Sequence, residues 1–265
     1  MSEEIVQAAR TTHLPGVRNS HECAETPSLL VCVPVKNCAR SLPRTLEELA
    51  IQDYAHDRTD VVLMENDSED DSWAVCLAAR DRLSEVGFRN VVVERARFGF
   101  RLPHHDRHTM AVQARRYLVM GQVRQTMLER YLADQDFLWW LDADIIGIPV
   151  GALSMMIGFD VDALTNRFVV ADVEFDHTTQ IIDDDGAVRL PRELLGTDRM
   201  SRPLLPCRQT VGMTLFRRSV LEEVNYRGME NDIGQQEGAY ISRQAYERGF
   251  GLYWSPRVIM EHANV

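Results

Sequence analysis

Apolar positions in this chain fall into short unbroken runs, and between the runs they take on helical spacing. The run SLLVCVPV at 28–35 is apolar and rich in β-branched residues, which suits a strand buried on both faces of a parallel sheet. Asn37 to Ser41 turns the chain, and SLPRTLEELAIQDY then places Leu42, Leu46, Leu49 and Ala50 on one helical face. A second unit repeats the order. TDVVLME reads as a strand, NDSEDDS carries helix N-cap chemistry, and WAVCLAARDRLSEV reads as an amphipathic helix with Gly87 just past its end. NVVVERA predicts a third strand, residues 107–133 a long helix, and DFLWWLDADI a central strand that leaves the core at its acidic end. ALTNRFVV predicts another strand, whereas residues 172–208, with several prolines, read as irregular. The last part reads as strand, helix, helix and a final strand, in TVGMTLFRRSVLEEV, QQEGAYISRQAYERG and LYWSPRVIMEHA. This alternation predicts a doubly wound α/β sheet.

Composition narrows the function classes. With 265 residues, 45% of them hydrophobic, the chain can bury one large core or two fused lobes. Residues 1–27 are polar and aperiodic and read as an N-terminal arm. A net charge of −11 gives no overall support for counterion-release binding to duplex nucleic acid. Lys36 is the only lysine. The five cysteines are odd in number and lack zinc-site spacing, so they read as reduced thiols, with Cys32 and Cys76 on segments expected to be buried. The opening residues lack a signal-peptide pattern, and no run approaches the roughly 20 apolar residues of a membrane span. The expectation is a cytoplasmic protein.

The sharpest chemistry lies at Asp142 and Asp144. On a strand, residues two apart share a face, so both carboxylates would meet where the apolar run ends. Two such anions repel, and Mg²⁺ or Mn²⁺ offsets that repulsion while completing its oxygen shell with substrate phosphates. An isolated acidic pair of this kind is more often a helix cap and a solvated loop acid. Here the pair follows two tryptophans at the carboxyl end of a strand in an open α/β sheet, where ligands of such sheets bind.

These motifs in order resemble the GT-A glycosyltransferases over about residues 28–264: VPVKN at 33–37, LEELAIQDY, VVLMENDSEDDS at 61–72, VQARRYL at 112–118, and LDAD. HDRHTMAVQARRYLV, LWWLDADI, VGMTLFRRSV and QQEGAY further resemble the Anp1/Mnn9/Van1-like mannosyltransferases. The resemblance implies a GT-A domain over 28–265, with a nucleotide-binding half at about 28–145 and an acceptor half at about 146–265. It implies that the nucleotide packs on Pro34, Val35 and Asn37, that Glu65 and Asp67 form the acidic turn in which Glu65 accepts hydrogen bonds from the base, and that Arg115 holds the diphosphate. It also makes His262 a third metal ligand beside Asp142 and Asp144, and Glu237 an acid on the acceptor side. The large family-2 group, by contrast, carries an acidic pair where this chain has Gln236 and Glu237.

Other residues read as follows. Glu237 is either a carboxylate acting on the reacting sugar or a first-turn helix acid favoured by the macrodipole, and Glu230 and Asp232 are further candidates nearby. Consecutive residues rarely share one metal, so His104, His105, Asp106, Arg107 and His108 read as a loop or helix start whose Arg107 contacts diphosphate. Asp183, Asp184 and Asp185 before Gly186 read as a turn. Trp139 and Trp140 read as core, and Trp254 as a residue lining the acceptor site. The expected activity is metal-dependent transfer of a sugar from a nucleotide-diphosphate donor to an unidentified acceptor, which could be a small molecule, a protein, a lipid-linked sugar or a modified DNA base. The resemblance favours retention of anomeric configuration. Two alternatives stay open: a nucleotidyltransferase or sugar-phosphate pyrophosphorylase, which would normally carry a Gly-rich basic loop where this chain has VPVKNCAR, and a catalytically silent nucleotide-sugar-binding module.

Overall fold

The computed structural model describes residues 26–101, 109–232 and 234–263. The expected β–turn–α units form: β1 (Leu29–Val35), α1 (Leu42–Ala50), β2 (Thr59–Asn66), α2 (Ser72–Val86) and β3 (Asn90–Ala96). The long helix α3 spans Met110–Tyr131 and is followed by β4 (Phe137–Trp140), β5 (Ile145–Gly147) and α4 (Ala152–Gly158). The remainder is β6 (Ala163–Val170), the short β7 (Val173–Glu174), β8 (Gln180–Ile182) and β9 (Val188–Arg189), then β10 (Leu205–Gln209), β11 (Thr214–Arg217), α5 (Arg218–Glu223), α6 (Glu237–Glu247) and β12 (Leu252–His262). The segment 172–208, which reads as irregular, thus contributes four short strands. Its local pattern is weak because each strand is short and several lie at the sheet's margin.

These strands join in one sheet of order β3-β2-β1-β4-β11-β6-β12-β10-β8-β9, with β5 on β12 and β7 on β6. β3, β2, β1 and β4 are mutually parallel. β11 is antiparallel to both β4 and β6, so β6 and its parallel neighbour β12 run in the same direction as β4.

Two cores flank the sheet. Leu29, Val31, Val33 and Val35 of β1 face α1, α2 and α4 through Leu42, Leu46, Leu49, Leu83 and Met156. Leu30 and Cys32 face the other way, with Val119, Val123 and Met127 of α3 and Ile241 and Ala245 of α6. Burial on both faces explains why β1 carries no polar alternation. Trp139 and Trp140 are fully buried, one in each core. Trp254 is fully buried as well, within the second core, which corrects its assignment to the acceptor site. Its indole is large enough to fill that layer and has no route to a surface cleft. Asp183 to Gly186 forms the expected turn, closed by Gly186 N–H donating to the Asp183 carbonyl at 2.8 Å.

One contact seats α6. A Cβ on Gly238 would lie 2.5 Å from the Val211 carbonyl carbon and the Gly212 nitrogen, both backbone atoms that cannot rotate aside. Gly238→Ala is therefore expected to destabilise the fold even though alanine is favoured in a helix by about 1 kcal/mol, because overpacking costs about 1–3 kcal/mol. A thermal melt should show a lower midpoint, and an unchanged or higher one would refute the close approach.

Candidate active site

Because β1, β2 and β4 run parallel, the segments that follow them leave at a common edge of the sheet. The segments after β1 and β2 are laced together. Asn37 N–H donates to Ser68 Oγ at 3.0 Å, Glu69 N–H to Asn37 Oδ1 at 2.8 Å, Cys38 N–H to Ser72 Oγ at 2.8 Å and Ala39 N–H to Asp70 Oδ2 at 3.0 Å. Asn37 and Asp67 adopt left-handed backbone, with φ of 52° and 53°, which these two residue types tolerate best after glycine. Lys36, the sole lysine, donates from Nζ to the carbonyls of Asp67 at 2.7 Å and Phe100 at 2.9 Å. Burial lowers its pKa, and the charges of Asp67, Glu69 and Glu65 work against that.

Pro34 and Val35 are buried at the end of β1, and Glu65 is buried beside them on β2, paired in register with Val35. Both oxygens of Glu65 are engaged: Oε1 accepts from Ser68 N–H at 2.7 Å and Oε2 from Arg95 Nε at 2.5 Å. Arg95 in turn lies 4.5 Å over the Trp73 ring. The side chain of Asp67 accepts from Phe98 N–H at 2.9 Å, and Glu65, Asp67, Ser68, Arg95 and Arg97 wall a recess of about 90 Å³.

The acidic pair is not on a strand. β4 ends at Trp140, and Asp142 to Ile145 forms a turn in which Ile145 N–H approaches the Asp142 carbonyl at 3.4 Å. The sharing of a face through strand alternation is thereby corrected. The turn is held from below by α1 and its N-cap, where Ser41 Oγ and Thr45 Oγ1 donate to the Ala143 carbonyl at 3.1 and 3.2 Å. The two carboxylates then diverge to different partners. Asp142 Oδ1 accepts from Arg124 Nη2 at 3.1 Å, and Asp144 Oδ2 lies 3.3 Å from His262 Nε2. β5 brings His262 there, since it pairs Ile145 with His262. Burial raises the pKa of Asp144 and the Asp142 charge adds to it, against the opposing effect of His262.

Arg124, on the inner face of α3, ties the site together. Its side chain is 1% exposed; the Asp142 and Glu237 carboxylates facing it are 37% and 13% exposed. Its Nη1 donates to the Gly212 carbonyl at 2.5 Å, its Nη2 lies 3.6 Å from Glu237 Oε1, and its guanidinium sits 4.7 Å over the Trp140 ring. Burial works to lower its pKa, and Tyr226, Glu237 and Asp142 outweigh that and raise it. Glu237 opens α6 with its carboxylate turned inward to this cation. Burial raises its pKa, Asp142 adds to the rise, and Arg124 and Arg116 oppose it.

A sequence model described as Anp1 matches residues 10–185. The chain belongs to the Anp1 family. Two relatives, the mannan polymerase II complex anp1 subunit of Schizosaccharomyces pombe and the ANP1 subunit of that complex in Saccharomyces cerevisiae, are each 24% identical over 51% of this chain. The aligned part is 34% and 29% of their lengths, so the chain spans about a third of these relatives. Among solved structures, Staphylococcus aureus TarS 1-349 in complex with UDP-GlcNAc is 15% identical with a TM-score of 0.54, covering 90% of this chain and 59% of that one. The mannosyltransferase PcManGT of Pyrobaculum calidifontis, in complex with GDP-Man and Mn²⁺, is 17% identical with a TM-score of 0.51, covering 91% and 58%. GalNAc-T7 with UDP, GalNAc and Mn²⁺ is 15% identical with a TM-score of 0.60, covering 89% and 43%. The fold is that of the GT-A glycosyltransferases. Among the described residues, no helix is long and apolar enough to cross a membrane.

Within this Anp1-family fold, the donor set at the acidic turn suits Mn²⁺ or Mg²⁺: two carboxylates and an imidazole, with Asp144 and His262 already in contact. Among the described residues, no three His, Cys, Asp or Glu side chains are gathered into a ready-made metal cage. A hard cation that takes oxygens from a substrate needs no such cage. Arg115 is exposed on α3; its neighbour Arg116 is the one whose charge bears on Asp144 and Glu237. Arg107, with the cluster at 104–108, lies outside the described residues. Glu230 lines a cavity of about 480 Å³ with Gln122, Tyr226 and Arg227, which contains none of the clustered carboxylates. Asp232 pairs with Arg243 at 2.5 Å. Arg124 is the residue that motif reading misses, although an arginine flanked by Val123, Met127 and Leu128 on a buried helix face signals a buried charge in need of partners.

A carboxyl whose pKa is raised on folding stabilises the fold most below its unfolded value, about 4.3 for glutamate, and loses that contribution as pH rises through the folded pKa. Glu237 is such a group. Glutamine does not titrate, so the melting temperature of Glu237→Gln minus that of the wild type should increase from pH 4 to pH 8 in metal-free buffer. A difference that is flat or falls with pH would refute the buried-carboxylate environment.

Proposed function

We propose that this chain transfers a hexosyl group from a nucleoside-diphosphate sugar to an acceptor hydroxyl with the help of Mn²⁺ or Mg²⁺. The observation that carries this reading is the pairing of Asp142 and Glu237 with Arg124 beside the contact of Asp144 with His262, at the edge of a GT-A sheet where β1, β2 and β4 also end. Nucleotide sugars in the TarS and PcManGT structures, and Mn²⁺ in those of PcManGT and GalNAc-T7, support the donor and the metal. The naming of the two relatives as mannan polymerase subunits supports mannose as the sugar; retention is what the resemblance to the Anp1/Mnn9/Van1-like group favours.

In this reading the nucleotide rests on Pro34, Val35 and Asn37, with Glu65 and Asp67 at the base and Arg115 and Arg116 toward the diphosphate. Asp142, Asp144 and His262 hold the cation, which when bound supplies Lewis-acid stabilisation of the leaving diphosphate. Glu237 faces the reacting sugar, where a carboxylate steadies the positive charge that develops as the glycosyl bond breaks or accepts the acceptor's proton. Arg124, which faces both carboxylates, offsets part of the cost that burial places on the charge of Glu237.

A second reading follows from the relatives being subunits of a complex: a chain that binds donor without turning it over. Metal-dependent release of nucleoside diphosphate separates the two. Asp142→Asn and Asp144→Asn should each abolish that release; Asp144→Asn, which opens no core cavity, should stay within about 1 kcal/mol of wild-type stability, whereas Asp142→Asn takes a charged partner from buried Arg124 and should also lower the melting temperature. Wild-type-like turnover in either variant would refute the metal assignment, and chelation should mimic both. Glu237→Gln should keep donor affinity and lose about 10²–10⁴ in rate, the usual range for a positioned acid or base. An unchanged rate would remove Glu237 from the reaction.

A further inference from the structure

One stripe of α1 is polar although it lies against the protein. Leu42, Leu46 and Leu49 fill the first core, as an amphipathic helix requires. Beside them run Ser41, Thr45, Glu48 and Gln52, at the helical intervals of four, three and four residues, with Ser41 just before α1 and Gln52 just after it. Ser41, Thr45 and Gln52 are buried, and the Glu48 side chain is 16% exposed. All four reach the segment after β4. Ser41 Oγ and Thr45 Oγ1 both donate to the Ala143 carbonyl, Glu48 Oε2 accepts from Ile148 N–H at 2.7 Å, and Gln52 Oε1 accepts from Leu153 N–H at 3.4 Å. Asp53 continues the series by accepting from the Ser154 hydroxyl at 2.7 Å. The partners advance along the segment in the order in which the stripe advances along the helix.

Apolar side chains would seat this segment without burying polar groups, but apolar contact is non-directional and leaves the segment free to slide. Hydrogen bonds at fixed intervals set its register along the helix. One donor is enough to satisfy a buried carbonyl, and the two hydroxyls on Ala143 use both of its lone pairs and so fix its direction as well. The register bears on all three candidate metal ligands. Ala143 stands between Asp142 and Asp144. Ile148 follows β5, which pairs Ile145 with His262, and Ala263 N–H donates to the Asp144 carbonyl at 2.7 Å. The residues that lead into α1, Asn37 to Ala39, are themselves bonded to the segment after β2. A single short helix thus ties the acidic turn to the nucleotide-facing segments.

We propose that Ser41, Thr45 and Glu48 are positioning residues, which hold Asp142, Asp144 and His262 in place for the cation before it arrives. The role of the cation rests on the glycosyltransferase reading above. Positioning is needed because the two acids repel each other and are drawn to different partners, Asp142 to Arg124 and Asp144 to His262. A turn that followed those partners freely would have to be gathered again by the metal, at the expense of affinity. Groups behind the ligands that fix them in advance remove that cost.

Two measurements on Ser41→Ala, Thr45→Val, their double variant and Thr45→Ser test this without turnover. The first is amide exchange of the metal-free protein by NMR. It is read at Ala263, which reports on Asp144, and at Leu141, whose N–H donates to the Cys32 carbonyl at 3.0 Å and reports on the sheet. In the double variant Ala263 should exchange at least tenfold faster while Leu141 keeps its wild-type rate. Each single change should do less, because the other hydroxyl still holds Ala143, and Thr45→Ser should match the wild type. The second is a titration with Mn²⁺ alone, followed by the paramagnetic resonance of the free ion. The double variant should bind at least tenfold more weakly, and Thr45→Ser should bind as the wild type does. Glu48→Ala should also weaken binding, whereas Glu48→Gln, which keeps an acceptor for Ile148, should not. Wild-type exchange at Ala263 in the double variant, an equal rise at Leu141, or wild-type Mn²⁺ affinity overturns the proposal. Should the double variant fail to fold, Thr45→Val against Thr45→Ser decides, equal exchange at Ala263 and equal affinity being the refuting result. A wild type that takes up no Mn²⁺ would defeat the metal reading, while the exchange rates still decide whether α1 positions the turn.

Discussion

A guanidinium sealed from water has to be matched by acceptors, and the site is arranged around that demand at Arg124. Its partners come from three parts of the chain: Asp142 after β4, the Gly212 carbonyl before β11, and Glu237 at the start of α6. The guanidinium also needs room. A Cβ at Gly212 would lie 2.8 Å from Arg124 Nη2 and 3.0 Å from Glu237 Oε1, so glycine there is a condition of the pairing. Removing one partner of such an arrangement typically costs about 3–5 kcal/mol, since it strands a buried charge. The ion cluster therefore sets where α6 begins and which way its first carboxylate faces.

The other half of the site depends on hydrogen bonds between the segments that follow the strands. The segments after β1 and β2 hold each other through hydroxyl, amide and carboxylate acceptors, and Lys36 draws in the Phe100 carbonyl from the segment after β3. The acidic turn hangs from the Ser41 and Thr45 hydroxyls. The neutral bonds contribute about 0.5–1.5 kcal/mol each and those involving a charged group about 1.5–3 kcal/mol, and their value lies in fixing several segments against one another at a single sheet edge. The sheet edge thus carries segments zipped together by hydrogen bonds on one side and a cluster of acids matched to a buried cation on the other.

Membership of the Anp1 family, with sequence identity of 24% to its relatives and 15–17% to other GT-A structures, fits this physics. The sheet asks only for apolar residues of suitable volume on two faces, a condition many sequences meet. The charged residues at its edge are far more constrained, because each must find its partner.

Much of the scaffold is legible in the sequence for a local reason. A strand buried on both faces must be apolar throughout, and a helix lying on a sheet must be apolar along one stripe, so β1, β2, α1 and α2 and the stop at Gly87 can be read residue by residue. The identity of the clustered acids is legible too, as is the burial of Trp139 and Trp140. What tertiary structure alone decided is how side chains pair. Strand β4 stops at Trp140 because α1 captures the Ala143 carbonyl, and Asp142 and Asp144 separate because Arg124 and His262 claim one each. Glu65 is engaged by Arg95, and Trp254 is enclosed in the second core. Periodicity reports which face of its own element a residue occupies. It carries no information on which charge, 88 positions away in the case of Arg124 and Gly212, will be waiting on the facing element.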